Sequence, residues 1–330
     1  MNGRKLEPRQ AAQTPRSAKQ RLGLVGSVAA ITLFLHGGSA LSADQAPSTP
    51  PSTAPSSGGT SRLETVTVEA RRQLERQVSH YVSSVVVHYH QDSLVRWNVP
   101  ICPLVAGLSR ERGEFMLWRI SQIAAAIRAP LASEHCKANF YVVVTPEPDL
   151  LLKKWSHRNP NMYNTANGVG HINSFLHAPH PIRCWYNTEF RSSDGDAVSP
   201  DTLVAGLSGS GLEMMRVPTN KVREATRLRY TAVQSLSSVI IVVDMNRTHD
   251  LNVGQLADYV AMVGLAEIRA DADLAGAPTI LRLFQESKNP PQGLSAWDQT
   301  FLYSLYNTKQ ESVLQASSIV TSMLKSIAPQ

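Results

Sequence analysis

Two neighbouring stretches decide the fold: Ser238-Val-Ile-Ile-Val-Val-Asp244 and, six residues later, Leu251-Asn-Val-Gly-Gln-Leu-Ala-Asp-Tyr-Val-Ala-Met-Val-Gly-Leu-Ala-Glu-Ile268. The first is a short, unbroken β-branched run, the pattern of a strand buried on both faces. The second places Leu256, Tyr259, Val260, Val263 and Leu265 along one side at helical spacing. A buried strand followed directly by an apolar helix calls for a sheet with helices packed on it.

The same reading extends outward. Phe140-Tyr-Val-Val-Val-Thr145, closed by Pro146, is a second apolar strand, and Ile182–Tyr186 a third. Phe115, Leu117, Trp118, Ile120, Ile123 and Ile127 define a helix entered at Ser109, an N-cap residue, and ended before Pro130. Asp149–His157, Ala296–Tyr306 and Lys309–Ser326 read as further helices, and Ala70–Val87 is rich in helix formers. Leu63–Ala70 alternates like a short strand, and Arg227–Val233 is expected to pair with Ser238–Asp244 as a hairpin through Gln234–Ser237. Ser192–Ser210, full of Gly, Ser and Asp, reads as a surface excursion. Helices and strands alternate without a regular βαβ rhythm, which predicts one α+β domain over 62–330, a mixed sheet packed by several helices.

What precedes that domain reads as an export signal. A basic stretch runs to Arg21, the apolar stretch Leu22–Leu35 follows, and small residues lead to a cleavage site near Ala43. The apolar stretch is 14 residues long, against about 20 for a bilayer span, so residues 1–43 are expected to be a cleavable signal peptide with no membrane span retained. Residues 44–61, Asp-Gln-Ala-Pro-Ser-Thr-Pro-Pro onward, cannot bury enough surface to offset ordering and read as a disordered linker. The chain carries a net charge of +6, but six of its 32 basic residues and one of its 26 acidic residues lie in the first 43. The remainder is nearly neutral, which removes the electrostatic motive for nucleic-acid binding.

Candidate chemistry is sparse. His88 and His90 form an H-x-H pair, and His171, His177 and His180 cluster, but neither group has a partner at zinc-ligand spacing, so no metal or other cofactor is expected. Gly206-Leu-Ser-Gly-Ser-Gly211 fails the nucleophile-elbow pattern because position 210 is serine. Asp244 and Asp258 could approach each other, although an aspartate ending a strand more often caps the following helix. No catalytic constellation can be assigned. Cys102, Cys136 and Cys184 make an odd count. In an oxidising compartment Cys102 and Cys136 are the candidate pair, with the other pairings left open, and Cys184 reads as a small buried apolar residue.

Three segments, Trp97–Leu108, Leu251–Ile268 and Leu294–Tyr306, resemble a family of uncharacterised exported proteobacterial proteins over about Glu64–Tyr306. That resemblance supports Cys102 and Cys136 as family features and implies no activity. The order of elements is also similar to zincin metallopeptidases, with Ala257 and Ala261 where the two motif histidines would stand, Asp258 at the glutamate, Gly264 at the glycine and Glu267 near a third-ligand position. Alanine cannot ligate zinc. The likeness therefore implies a zincin-like layout without the zinc motif, with Asp258 and Glu267 beside a possible peptide groove. The expected function is non-catalytic binding in the periplasm or cell envelope, with a peptide or envelope protein as partner. An exported hydrolase of metal-dependent peptidase type, with unidentified catalytic residues, is the alternative.

Overall fold

The computed structural model describes residues 58–87, 93–158, 172, 175–196, 199–208, 211–219, 222–223, 226–285 and 289–327, with backbone alone for 58–67 and 199–219. The expected signal peptide, the linker up to residue 57, the His88/His90 pair, His171 and Gly209–Ser210 lie outside these residues.

A mixed sheet is built on one long strand. In chain order the strands are β1 (Arg96–Trp97), β2 (Pro103–Ala106), β3 (Phe140–Thr145), β4 (Ile182–Ser192), β5 (Ser199–Ser208), β6 (Gly211–Thr219) and β7 (Ala232–Asp244). The helices are α1 (Gly58–Val85), α2 (Arg110–Ala126), α3 (Pro148–Arg158), α4 (Met245–Thr248), α5 (Val253–Leu265), α6 (Ala296–Asn307) and α7 (Gln315–Ile327), with a 3-10 turn at Ile280–Phe284 before α6. β7 pairs in parallel with β3 through its second half (Phe140 opposite Val239, Thr145 opposite Asp244) and with β1 through its first. β2 extends the sheet beyond β3, and β4 runs antiparallel along the whole other side of β7. β5 and β6 form a separate antiparallel pair.

Burial on both faces explains the unbroken apolar run of β7. Val239, Ile241 and Val243 point into the main core under α1, α2, α5, α6 and α7, while Ile240 and Val242 meet Leu152, Phe175 and Trp185 beneath α3. α5 is fixed at its start by a capping box: Gly254 N–H donates to Asn252 Oδ1 (2.7 Å) and Asn252 N–H to Gln255 Oε1 (3.2 Å). At its far end α5 lies very close to the sheet. A Cβ on Gly264 would sit 2.1 Å from Phe140 Cζ, and Trp97 Nε1 donates to the Gly264 carbonyl at 2.9 Å.

Several local expectations give way to tertiary context. The hairpin through Gln234–Ser237 does not form; those residues continue one strand. Their polar groups imitate a turn in sequence but are partnered in place. Ser235 Oγ accepts from Asn98 N–H (3.2 Å), the Gln234 carbonyl accepts from Gln310 Nε2 (2.7 Å), and Ser237 Oγ donates to the Asn187 carbonyl (3.1 Å). Leu63–Ala70 is helix rather than strand, and Gly58–Ser61, read as linker, is also helical. Leu74, Val78, Val82 and Val85 give α1 a face against the core, and a nucleated helix extends upstream at little cost per residue. Ser192–Ser210, read as a surface excursion, contains the end of β4 and all of β5. Of the serine-glycine segment, Gly206–Ser208 ends β5 and Gly211 begins β6, with Ser208 opposite Gly211.

Cys102 and Cys136 form the disulfide, and Cys184 is free. Ser56–Gln330 makes one compact unit, and its class is α+β.

Candidate functional site

Asp258 and Glu267, the two acids singled out on the α5 segment, go to different places. Asp258 is buried on the α2 side, where Arg119 grips it with two bonds (Nε to Oδ1 2.5 Å, Nη2 to Oδ2 3.0 Å) and Leu294 N–H donates to Oδ2 at 2.9 Å. It ties α2, α5 and the approach to α6 together, a structural role. Asp244 caps α4 by accepting from Asn246 N–H (3.0 Å). Ala257 and Ala261 are fully buried core residues. Among the described residues, no three of His, Cys, Asp or Glu come together as a metal-binding group.

Glu267, two residues beyond α5, lines a cavity of about 580 Å³. One wall is the start of β4, Ile182–Tyr186. The opposite wall comes from Tyr259 and Val263 of α5, the chain from Glu267 to Ala272, and the 3-10 turn. The Tyr259 ring meets Phe284 edge-on at 5.0 Å. This size lies within the range of about 300–1,000 Å³ common to ligand pockets.

Among the described residues the β4 wall is an open sheet edge. Asp244 N–H donates to the Pro181 carbonyl (2.9 Å), which sets the hydrogen-bond phase of the ladder. Arg183 and Trp185 then exchange bonds with Val242 and Ile240, and the alternation turns the N–H and C=O groups of Ile182, Cys184 and Tyr186 away from β7. Among the described residues β4 pairs with β7 alone. The second half of β4 carries Glu189 and Arg191, ion-paired at 2.7 Å, of the charged kind that discourages edge pairing. The first half has no such pair at the surface: Arg183 is buried, held by Asp149 (2.6 Å) and the Leu176 carbonyl (2.7 Å).

The electrostatics of the cavity centre on Glu267. Its Oε2 is buried with no hydrogen-bond partner. Burial pushes its carboxyl up to about 7, and no neighbouring cation pulls it back. Three arginines line the cavity, but each is anchored elsewhere: Arg183 as above, Arg247 on the Pro179 carbonyl (2.7 Å) and Arg269 on the Val86 carbonyl (3.1 Å). Burial pushes the Cys184 thiol up to about 12 and raises the Tyr186 and Tyr259 hydroxyls, so all three are neutral near pH 7. A thiol kept protonated is no nucleophile. The described groups suit recognition through backbone, aromatic surface and one acid.

Sequence reasoning reached Glu267, and the idea of a groove beside it, only through the resemblance. A lone acid at the end of an otherwise apolar run, Leu265-Ala-Glu-Ile268, was the available signal.

The buried acid makes stability depend on pH. The folded state keeps the Glu267 proton up to about 7, whereas an unfolded glutamate loses it near 4.5. Ionisation therefore opposes folding, and this contribution weakens the fold as pH rises from about 4.5 to 7. Glu267→Gln is expected to be more stable than the parent by about 2–3 kcal/mol at pH 8 and by less than about 1 kcal/mol at pH 5. Urea melts at the two pH values measure this; equal differences at both would remove Glu267 as the source.

No family model matches the chain, and no significant match was found among curated proteins or solved structures.

Proposed function

We propose that this chain is an exported, non-catalytic binding domain of the periplasm or cell envelope, and that its ligand is an extended peptide added as a strand to the open edge of β4. One observation carries the reading: outward N–H and C=O groups at Ile182, Cys184 and Tyr186 border a cavity of peptide-binding size. Strand addition draws affinity from such main-chain groups and specificity from pockets that receive alternate side chains. The basic and apolar leader supports export, and the neutral thiol and phenols support binding over chemistry. The hydrolase alternative rests on element order alone.

The test uses the full chain and end-blocked heptapeptides, acetyl-Val-Thr-Val-X-Val-Thr-Val-amide, with X running over all residue types. Cys184→Pro deletes an outward N–H without removing a bond to β7, and proline is tolerated at such edge positions. It is expected to weaken binding of the pool at least about 10-fold, with little change in melting temperature, while Cys184→Ser binds like the parent. N-methylation of alternate peptide residues gives the same loss on the unaltered protein. Binding that survives both changes overturns strand addition.

A further inference from the structure

We infer that Glu267 selects peptides by receiving a basic side chain, lysine or arginine, from the strand added at β4. This rests on the strand-addition reading and names its specificity. Three observations converge on it. Glu267 is the one acid among the described residues lining the cavity. Its Oε2 is buried without a hydrogen-bond partner, although buried polar atoms are nearly always satisfied. Two spaces border Glu267. One is a void of about 10 Å³ among Leu94, Val95 and Phe301, but that is about the least space one water needs. The 580 Å³ cavity is the side with room.

Cation is the fitting chemistry. A carboxylate accepts and cannot donate, and an uncompensated buried charge is costly until a counter-charge arrives. None of the three cavity arginines is ion-paired with Glu267: Arg183 pairs with Asp149 and bonds the Leu176 carbonyl, and Arg247 and Arg269 bond main-chain carbonyls. Strand geometry supplies the delivery. Cys184 and Tyr186 project to the α5 side of the sheet, where they pack on the main core, and Trp185 to the α3 side. A paired strand alternates in the same way, so every second side chain of the ligand faces the Glu267 wall. The Tyr186 hydroxyl, bonded to the Val263 carbonyl (2.8 Å) and to Ile268 N–H (3.4 Å), holds that wall at the edge of β4.

The groups facing the carboxyl set its pH behaviour. Tyr186 and Cys184 from β4 and Tyr259 from α5 are neutral near pH 7, and Arg183, Arg247 and Arg269 are the arginines that line the cavity. Exposed His180 also lines the cavity, so His180→Asn serves as the background for the pH arm. The ionised carboxyl binds the cation, and the protonated one does not.

The experiment titrates the full chain with three probes: the heptapeptide above with X lysine, the same with X norleucine, and n-hexylammonium alone. The lysine peptide is expected to bind about 10-fold more tightly than the norleucine peptide at pH 8. That advantage should vanish in Glu267→Gln. It should also fall about 10-fold from pH 8 to pH 6 in the His180→Asn background, with the norleucine peptide unchanged. Equal binding of the two peptides, or an advantage that survives Glu267→Gln, overturns the selection while leaving strand addition standing. Failure of both peptides with saturable, Glu267-dependent binding of n-hexylammonium overturns strand addition and with it the peptide selection. Failure of all three probes overturns both.

Discussion

Asp298→Ala is expected to lower stability by about 4–5 kcal/mol and the melting temperature by about 10 °C or more. Asp298 is fully buried and accepts from five donors. They are Tyr81 Oη (3.0 Å), Thr279 Oγ1 (2.5 Å), Ile280 N–H (2.8 Å), Ser295 N–H (2.9 Å) and Ser295 Oγ (2.8 Å). These come from α1, the 3-10 turn and the start of α6, so one carboxylate joins three elements distant in the chain. Burial raises its pKa more than the hydrogen bonds lower it, which marks how completely water is excluded. Alanine removes the acceptor and strands two N–H groups and three hydroxyls. It also breaks the capping box of α6, in which Asp298 N–H donates to Ser295 Oγ (3.1 Å). Asp298→Asn keeps the volume but offers one acceptor oxygen, so an intermediate loss of about 2 kcal/mol is expected. Denaturant melts of the three proteins provide the measurement, and an alanine variant within 2 °C of the parent (about the effect of 1 kcal/mol or less) would contradict the account.

Reducing the Cys102–Cys136 disulfide is expected to cost up to about 4 kcal/mol, the chain-entropy value for a loop of this length. The bond joins the entries to β2 and β3, which pair in parallel with α2 between them. Without it, the unfolded chain regains the freedom of a loop whose ends are 34 residues apart in sequence. The folded chain retains Asn139, whose Oδ1 accepts from Cys102 N–H (2.7 Å) and whose N–H donates to the Cys102 carbonyl (3.1 Å). The reduced protein should therefore fold to the same structure and melt about 10 °C lower. Cys136 is exposed, so a soluble reductant can reach the bond. The double variant Cys102→Ser, Cys136→Ser should melt like the reduced protein and stop responding to reductant. An unchanged melt with both thiols titrated as free would refute the stabilising role.

The site was only partly legible in sequence. Asp258 and Glu267 stand nine residues apart, but α5 ends at Leu265 and Ala266 is extended, so helical spacing does not carry through to Glu267. Asp258 turns toward α2 and Arg119, and the chain leaving α5 brings Glu267 to the cavity beside β4. Which of the two reaches an open cavity depends on where β4, the 3-10 turn and Arg119 lie, and those are long-range facts. The edge of β4 shows the same limit. Ile182–Tyr186 announces a strand by composition, but which strand covers each of its sides is settled only when β7 takes one of them.

Local pattern by itself determined the apolar run of β7, the amphipathic α5 with Asn252 ahead of it, the helices at α2, α3, α6 and α7, and the mixed α+β class. These features come from side-chain periodicity and capping chemistry, which act within about ten residues. Tertiary structure alone decided that Gln234–Ser237 is strand instead of turn, because Asn98, Asn187 and Gln310 supply partners from distant parts of the chain. It likewise decided that Leu63–Ala70 is helix, that β5 pairs with β6, and that the acid two residues beyond α5 lines the cavity beside β4. Polar groups and edges take their meaning from whatever stands opposite them, and the sequence does not say which residues those are.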